Sequence, residues 1–281
     1  MRTPFTKMHG LGNDFVVLDN RAGGARVDSV RARALADRRE GIGFDQLLLL
    51  EQPGDASHDL AFRIFNADGG EVEHCGNGAR CVAAYAHSRA GLKVSPLRLE
   101  LPTRSIAARL AADGRVAVDM GEPDFDPRAI PLDLSAADGR YAVVLSGGPL
   151  TFGAVSMGNP HAFILHDESR GASLAELDIE SVAVALQRNG CFPEGVNVGF
   201  GVIDAADRLR LRVFERGVGE TKACGTGACA AVAIAQRWGL LGSEVVVTLP
   251  GGELHISWAG NARSLWMTGP AAFVFDGEIE L

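Results

Sequence analysis

Along most of the chain, apolar residues gather in short runs that end at turn signals. This is the pattern of strands. Runs of this kind are FVVLDN (15–20), DQLLLLE (45–51), DLAFRIFN (59–66), RVAVDM (115–120), RYAVVLS (140–146) and HAFILHD (161–167). They continue with NVGFGVID (197–204), RLRLRVFE (208–215), EVVVTL (244–249), ELHISW (253–258) and SLWMTG (264–269). RLRLRVF alternates cleanly, so one face is buried and the other is wet. Asp113-Gly114, Asp138-Gly139 and Pro250-Gly251-Gly252 are turn signals between runs. Helical spacing is rarer and predicts helices over 29–37 and 174–187. Two further helices, GNGARCVAAYAHSRAG (76–91) and GTGACAAVAIAQRWG (225–239), are small or apolar on nearly every side. A helix apolar all round is buried all round.

The two buried helices belong to a repeat. FNADGGEVEHCGNGA (65–79) slides onto FERGVGETKACGTGA (214–228) with a shift of 149 residues, no gap and seven identities in fifteen positions. Among the matched pairs are Cys75 with Cys224, Gly76 with Gly225 and Gly78 with Gly227. GLGNDF (10–15) and MGNPHAF (157–163) repeat a Gly-Asn ahead of a Phe, and Gln46 in GFDQ matches Asn197 in GVNV at a shift of 151. Two copies at so long a period indicate paired domains, not a solenoid. The expected fold is α+β, with two pseudo-symmetric domains from internal duplication. Each would be a barrel-like, mostly antiparallel sheet wrapped around a central helix. The expected limits are 1–121, joined by a last strand at about 270–281 that returns to it, and 122–269. MGEPDFDP (120–127) reads as the connection between them.

Composition narrows the functional classes. The net charge of −8 disfavours nucleic acid as a partner. No apolar run approaches the roughly 20 residues of a membrane span, and the first residues lack a signal-peptide core, so the cytoplasm is the expected location. Five cysteines, an odd number, argue against a disulfide framework. Spacings of six between Cys75 and Cys81 and five between Cys224 and Cys229 turn the sulfurs apart on a helix, so no zinc site is expected. Lys7, Lys93 and Lys222 lack a phosphate-binding context, and no dinucleotide or P-loop fingerprint is present. The sequence calls for no cofactor.

Cys75 and Cys224 each fall at the start of a central helix, where unpaired N–H groups and the helix dipole stabilise anions and lower a thiol pKa. The glycines that follow each of them admit a ligand close to the backbone. Cys81, Cys191 and Cys229 read instead as small core residues. Two such thiols on opposite sides of an α-carbon could invert it. One, as thiolate, would remove the proton. The other, as thiol, would return one from behind, while helix N-termini hold the carboxylate. A redox or metal-binding protein using the same cysteines is the alternative of a different class.

These motifs, MHGLGNDF, FNADGGEVEHCGNGARC, GNPHAF, NVGF and ERGVGETKACGTGA, resemble the diaminopimelate epimerase family along nearly the whole chain. Proline racemases also pair two thiols but in other contexts, and the phenazine-biosynthesis relatives share the fold without the pair. The resemblance implies cofactor-free interconversion of LL- and meso-2,6-diaminopimelate, on the route to lysine and peptidoglycan, by a homodimer. It implies Cys75 and Cys224 as catalytic residues and His161 and Glu215 as the pair that tunes them. Substrate contacts are implied at Asn13, Gln46, Asn66, Gly76, Asn77, Asn159, Asn197, Glu215, Arg216, Gly225 and Thr226. A fork such as Arg216 suits a distal carboxylate, and Glu215 suits an ammonium group. A racemase for another amino acid is the alternative within the class. Phe275 stands where the family often has a tyrosine at the dimer contact.

Overall fold

A computed structural model of the protein describes residues 2–280 except 74 and 137. Its α-helices are α1 (Ser29–Ala36), α2 (Gly76–Ser88), α3 (Ile179–Arg188) and α4 (Gly225–Arg237). The rest is chiefly strand. The chain divides into two compact units, one of residues 1–119 with 268–281 and one of residues 120–267.

In the first unit, strand Arg2–Gly10 lies antiparallel between Ala272–Glu280 and Asn13–Asp19. Asn13–Asp19 then pairs in parallel with Gln46–Glu51, which pairs antiparallel with Leu60–Asn66. That strand carries the short Glu71–Val72 antiparallel and Leu97–Glu100 in parallel, and Ser105–Leu110 and Val116–Gly121 follow antiparallel. The second unit repeats this order step for step. Gly148–Ser156 pairs antiparallel with Tyr141–Leu145 and with Pro160–Leu165. Pro160–Leu165 runs parallel to Asn197–Ala205, which is antiparallel to Arg208–Glu215. Arg208–Glu215 carries Gly219–Thr221 antiparallel and Glu244–Leu249 in parallel, and Gly252–Ser257 follows antiparallel. In each unit the sheet is barrel-like and wraps a central helix: α2 packs on strands from both ends of its sheet, and so does α4.

Both faces of each sheet are covered, which explains apolar runs that do not alternate. Leu47 and Leu49 join the cluster under α1, with Ala32, Leu35 and Phe44. Leu48 points the other way, against α2 at Gly78. In the second unit α3 contributes Ile179, Ala183 and Leu186 to an outer cluster with Phe152, Val198 and Phe200. On the inner face a Cβ at Gly153 would lie 2.3 Å from Ile234 and 2.7 Å from Trp238, so the glycine lets α4 settle on the strand. The RLRLRVF alternation resolves as read: Leu209, Leu211 and Val213 are buried. The arginines between them bind carboxylates, Arg210 at Glu168 and Asp204, Arg212 at Glu220.

Several local expectations need correction. The helix expected from 174 begins only at Ile179, because the Asp178 side chain accepts from Ser181 N and caps it there. The carbonyls of Leu174 and Leu177 turn instead toward the Arg212 guanidinium, at 2.7 and 2.9 Å. Strands Arg2–Gly10, Ser105–Leu110 and Gly148–Ser156 carry proline, glycine or alanine and do not stand out by pattern, and Leu97–Glu100 is only four residues long. The central helix α2 is not apolar on every side: Arg80 is wholly buried in it, and its Nε donates to Pro270 O at 3.2 Å. Helix α4 ends in a Schellman turn, with Gly239 in the left-handed region at φ 75° and Leu240 N bonded to Ala235 O.

Candidate active site

Each unit presents one half-site at the N-terminus of its central helix. In the first, Cys75 is the N-cap of α2 in extended conformation, and its Sγ accepts from Gly78 N at 3.3 Å. Space is tight at that third helical position, since a Cβ on Gly78 would lie 3.0 Å from the Leu48 side chain. Asn77, beside the cap, donates to Asn13 Oδ1 at 3.3 Å. Gln46 and Asn66 face each other across antiparallel strands, and Gln46 Nε2 donates to Asn66 Oδ1 at 2.8 Å. Among the described residues Gln46 Oε1 is a buried acceptor with no donor. A buried acceptor takes an N–H or O–H, from water or from a ligand. Asn13, Gln46, Asn66, Cys75, Gly76 and Asn77 all lie in this unit.

In the second half-site, Cys224 caps α4 in the same extended conformation, but its side chain makes no capping bond. The Thr226 hydroxyl lies 3.6 Å from its sulfur. Gly227 repeats the role of Gly78: a Cβ would lie 3.1 Å from Val213 and 3.2 Å from the sulfur. Burial, then the nearby Glu215 carboxylate, pushes the Cys224 thiol well above its ordinary pKa. Glu215 Oε1 in turn accepts from Thr221 Oγ1 at 2.6 Å. His161 is 1% exposed, and burial with the neighbouring Arg216 charge holds its pKa down at about 3. It is therefore neutral, and its Nε2 pairs with Asn159 Oδ1 at 3.0 Å, which leaves the NH₂ end of that amide as the donor.

Asn197 is engaged at both ends of its amide. Its Nδ2 donates to Pro160 O at 3.2 Å, and its Oδ1 accepts from Arg216 N at 2.9 Å. It thus fastens Arg216 to the strand that carries His161. The Arg216 side chain is exposed, crosses Gly195 and donates from Nη1 to Glu194 O, and among the described residues no carboxylate pairs with it. Asn159, His161, Asn197, Glu215, Arg216, Cys224, Gly225 and Thr226 lie in this unit.

Two residues of the first half-site escaped the sequence reading, Asp45 and Arg38. Asp45 Oδ2 accepts from Asn13 Nδ2 at 3.0 Å, and Arg38 Nη2 donates to Asp45 Oδ1 at 2.8 Å. The place of Asp45 directly before Gln46 was a usable signal; the approach of Arg38 from the loop after α1 was not. Of the remaining thiols, burial pushes Cys81 up to about 12 and raises Cys191. All five cysteines are free thiols. Among the described residues no three His, Cys, Asp or Glu side chains gather as metal ligands.

The duplicated sheet-and-helix unit is the fold of known epimerases. A hydroxyproline epimerase from Agrobacterium vitis, solved with trans-4-hydroxy-L-proline, superposes with a TM-score of 0.71 over 99% of this chain and 92% of that one, at 16% identity. A Bacillus anthracis phenazine biosynthesis protein of the PhzF family superposes at 0.65 over the whole of both chains, at 15% identity. At these identities the likeness shows the fold. The activity class comes from the sequence, which is that of an amino-acid epimerase. Residues 5–125 and 153–274 match the diaminopimelate epimerase family model. A diaminopimelate epimerase from Halorhodospira halophila (strain DSM 244 / SL1) is 50% identical over 277 residues, which cover 99% of this chain and 95% of that protein. The chain belongs to the diaminopimelate epimerase family.

Proposed function

We propose that this epimerase inverts one α-carbon of 2,6-diaminopimelate, interconverting the LL and meso isomers, with Cys75 and Cys224 as its acid and base. The observation that carries this reading is the repeated cap: an extended cysteine before each central helix, followed by glycine at the first and third helical positions. The two thiols start in opposite states. Cys75 accepts an N–H at the helix mouth, which favours its thiolate. Cys224 is buried beside the Glu215 carboxylate, which favours its thiol. In one direction Cys75 takes the α-proton and becomes a thiol. Cys224 delivers its proton to the opposite face and becomes a thiolate. The reverse direction exchanges the roles, so one proton moves through each turnover.

The carbanion places charge on the substrate carboxylate, and the N–H groups of Gly76, Asn77, Gly225 and Thr226 stabilise it there. Gln46 Oε1 and Glu215 accept from ammonium groups. Arg216, with the Asn66 and Asn159 amides, takes the distal carboxylate, and Asn197 holds the Arg216 backbone in place. His161 stays neutral and orients Asn159.

No described helix is long and apolar enough to cross a membrane. A cytoplasmic enzyme of lysine and peptidoglycan precursor synthesis accords with the free thiols. A homodimer accords with strand Ala272–Glu280, which leaves Phe273, Val274 and Phe275 exposed. The test is conversion of LL-diaminopimelate in deuterated water. Product should carry one solvent deuteron at one α-carbon; product that keeps its original α-hydrogen overturns the two-thiol mechanism.

A further inference from the structure

Asn13 sits where a charged network meets the first half-site. Its Nδ2 donates to Asp45 Oδ2 at 3.0 Å, and its Oδ1 accepts from Asn77 at 3.3 Å. The same Asp45 oxygen also accepts from Asp14 N at 3.1 Å. The other, Oδ1, accepts from Arg38 Nη2 at 2.8 Å. Arg38 further clasps Asp14 with both Nη atoms, at 3.1 and 2.7 Å, and the half-buried Asp14 also binds the buried Lys7. The Asp45 main chain is committed as well: its N–H donates to Asp14 O and its carbonyl accepts from Ala67 N, both at 3.0 Å. A carboxylate can only accept, so it fixes which end of the Asn13 amide is NH₂ and which is oxygen. At the equivalent position of the second unit, a shift of 151, stands Val196. There the amide of Asn159 is oriented from its oxygen end by His161.

We infer that Asp45, clamped by Arg38, is a positioning residue that sets the orientation of the Asn13 amide toward the substrate. The inference rests on the reading of Asn13 as a substrate contact. Asp45→Asn keeps the shape but makes the two ends of the partner group interchangeable and removes its charge pairing with Arg38. The experiment is a double-mutant cycle in kcat and KM for LL-diaminopimelate, with Asp45→Asn, Asn13→Ala and the pair.

Asp45→Asn should lose about tenfold in kcat/KM, the scale of one charge-assisted hydrogen bond. It should lose nothing further in the Asn13→Ala background. An equal loss in both backgrounds would mean that Asp45 acts through the fold and overturns the inference. Wild-type kinetics for Asn13→Ala would instead remove Asn13 from the site, and the inference with it. Should Asp45→Asn fail to fold, Arg38→Gln carries the same test. It removes the clamp from an exposed side chain, and its loss of a few-fold should likewise vanish without Asn13.

Discussion

The two half-sites share a scaffold and differ in what surrounds the sulfur. Both caps are extended, and both have glycine at the third helical position, where space is tight. Yet strand register puts Phe15 opposite Gln46 in one unit and His161 opposite Asn197 in the other. Asn66 in the first is matched by Glu215 in the second. Backbone geometry was kept because a thiol at a helix mouth depends on it. On the proposed mechanism, unlike neighbours bias one thiol toward acid and the other toward base. Duplication supplied two thiols, and the polar residues around them made the two unlike.

The strongest way to break this comparison is to remove the thiols one at a time. Cys75→Ala and Cys224→Ala should each cost on the order of a thousandfold or more in epimerisation, the range of a lost general acid or base. The double variant should be little worse, since the pair works as a unit. Cys81→Ala, Cys191→Ala and Cys229→Ala should keep most activity in the same assay. An active Cys75→Ala or Cys224→Ala enzyme would end the two-thiol reading.

Arg216→Lys comes next. An ammonium cannot reproduce the planar fork, so kcat/KM for diaminopimelate should fall by about tenfold to a hundredfold, from the roughly 1.5–3 kcal/mol of a charged hydrogen bond. Unchanged kinetics would take Arg216 out of the site.

A smaller effect sharpens the difference between the sulfurs. The Glu215 carboxylate helps to hold the Cys224 thiol up. Glu215→Gln should lower that pKa and raise the thiolate fraction. Alkylation of Cys224 near pH 8, followed by peptide mapping, should then speed up several-fold while Cys75 is unchanged. Equal acceleration of both would show that Glu215 does not distinguish them.

The last effect falls on stability and leaves the thiols untouched. His161 has a folded pKa of about 3, below its unfolded value of about 6.5. Between these values the unfolded chain binds more protons, so stability is full above about pH 6.5 and falls as pH drops toward 3. The slope is at most about 1.4 kcal/mol per pH unit. His161→Phe, which copies Phe15, should flatten this part of a denaturation-against-pH curve. An unaltered slope would mean that His161 does not titrate as described.

Much of this could be read from the chain because the repeat is local. The cysteine, the glycine at the third helical position and the small residues behind them lie within one helical turn or two, so motif and structure coincide. What could not be read depends on partners distant in sequence. Arg80 looks like a flaw in an apolar helix until Pro270 brings it an acceptor. Asp45 and Arg38 look like surface charges until the parallel pairing of Asn13–Asp19 with Gln46–Glu51 sets Asp45 against Asn13. Leu174–Asp178 has helical composition, but the Asp178 cap and the pull of Arg212 on its carbonyls delay the helix.

The strand Ala272–Glu280 has a consequence for how the protein is made. It pairs along nearly its whole length with Arg2–Gly10, whereas residues 120–267 form one continuous stretch of chain. During synthesis the second unit is therefore complete in sequence before the first. The first must keep the flank of its opening strand uncovered until Ala272–Glu280 has emerged from the ribosome. That order reverses the usual vectorial one. Its cost is a large loop to close, although closure entropy grows only slowly with loop length. A circular permutant that joins Glu280 to Arg2 and opens the chain near Met120 would make both units continuous. It should refold faster than the natural order of the same strands.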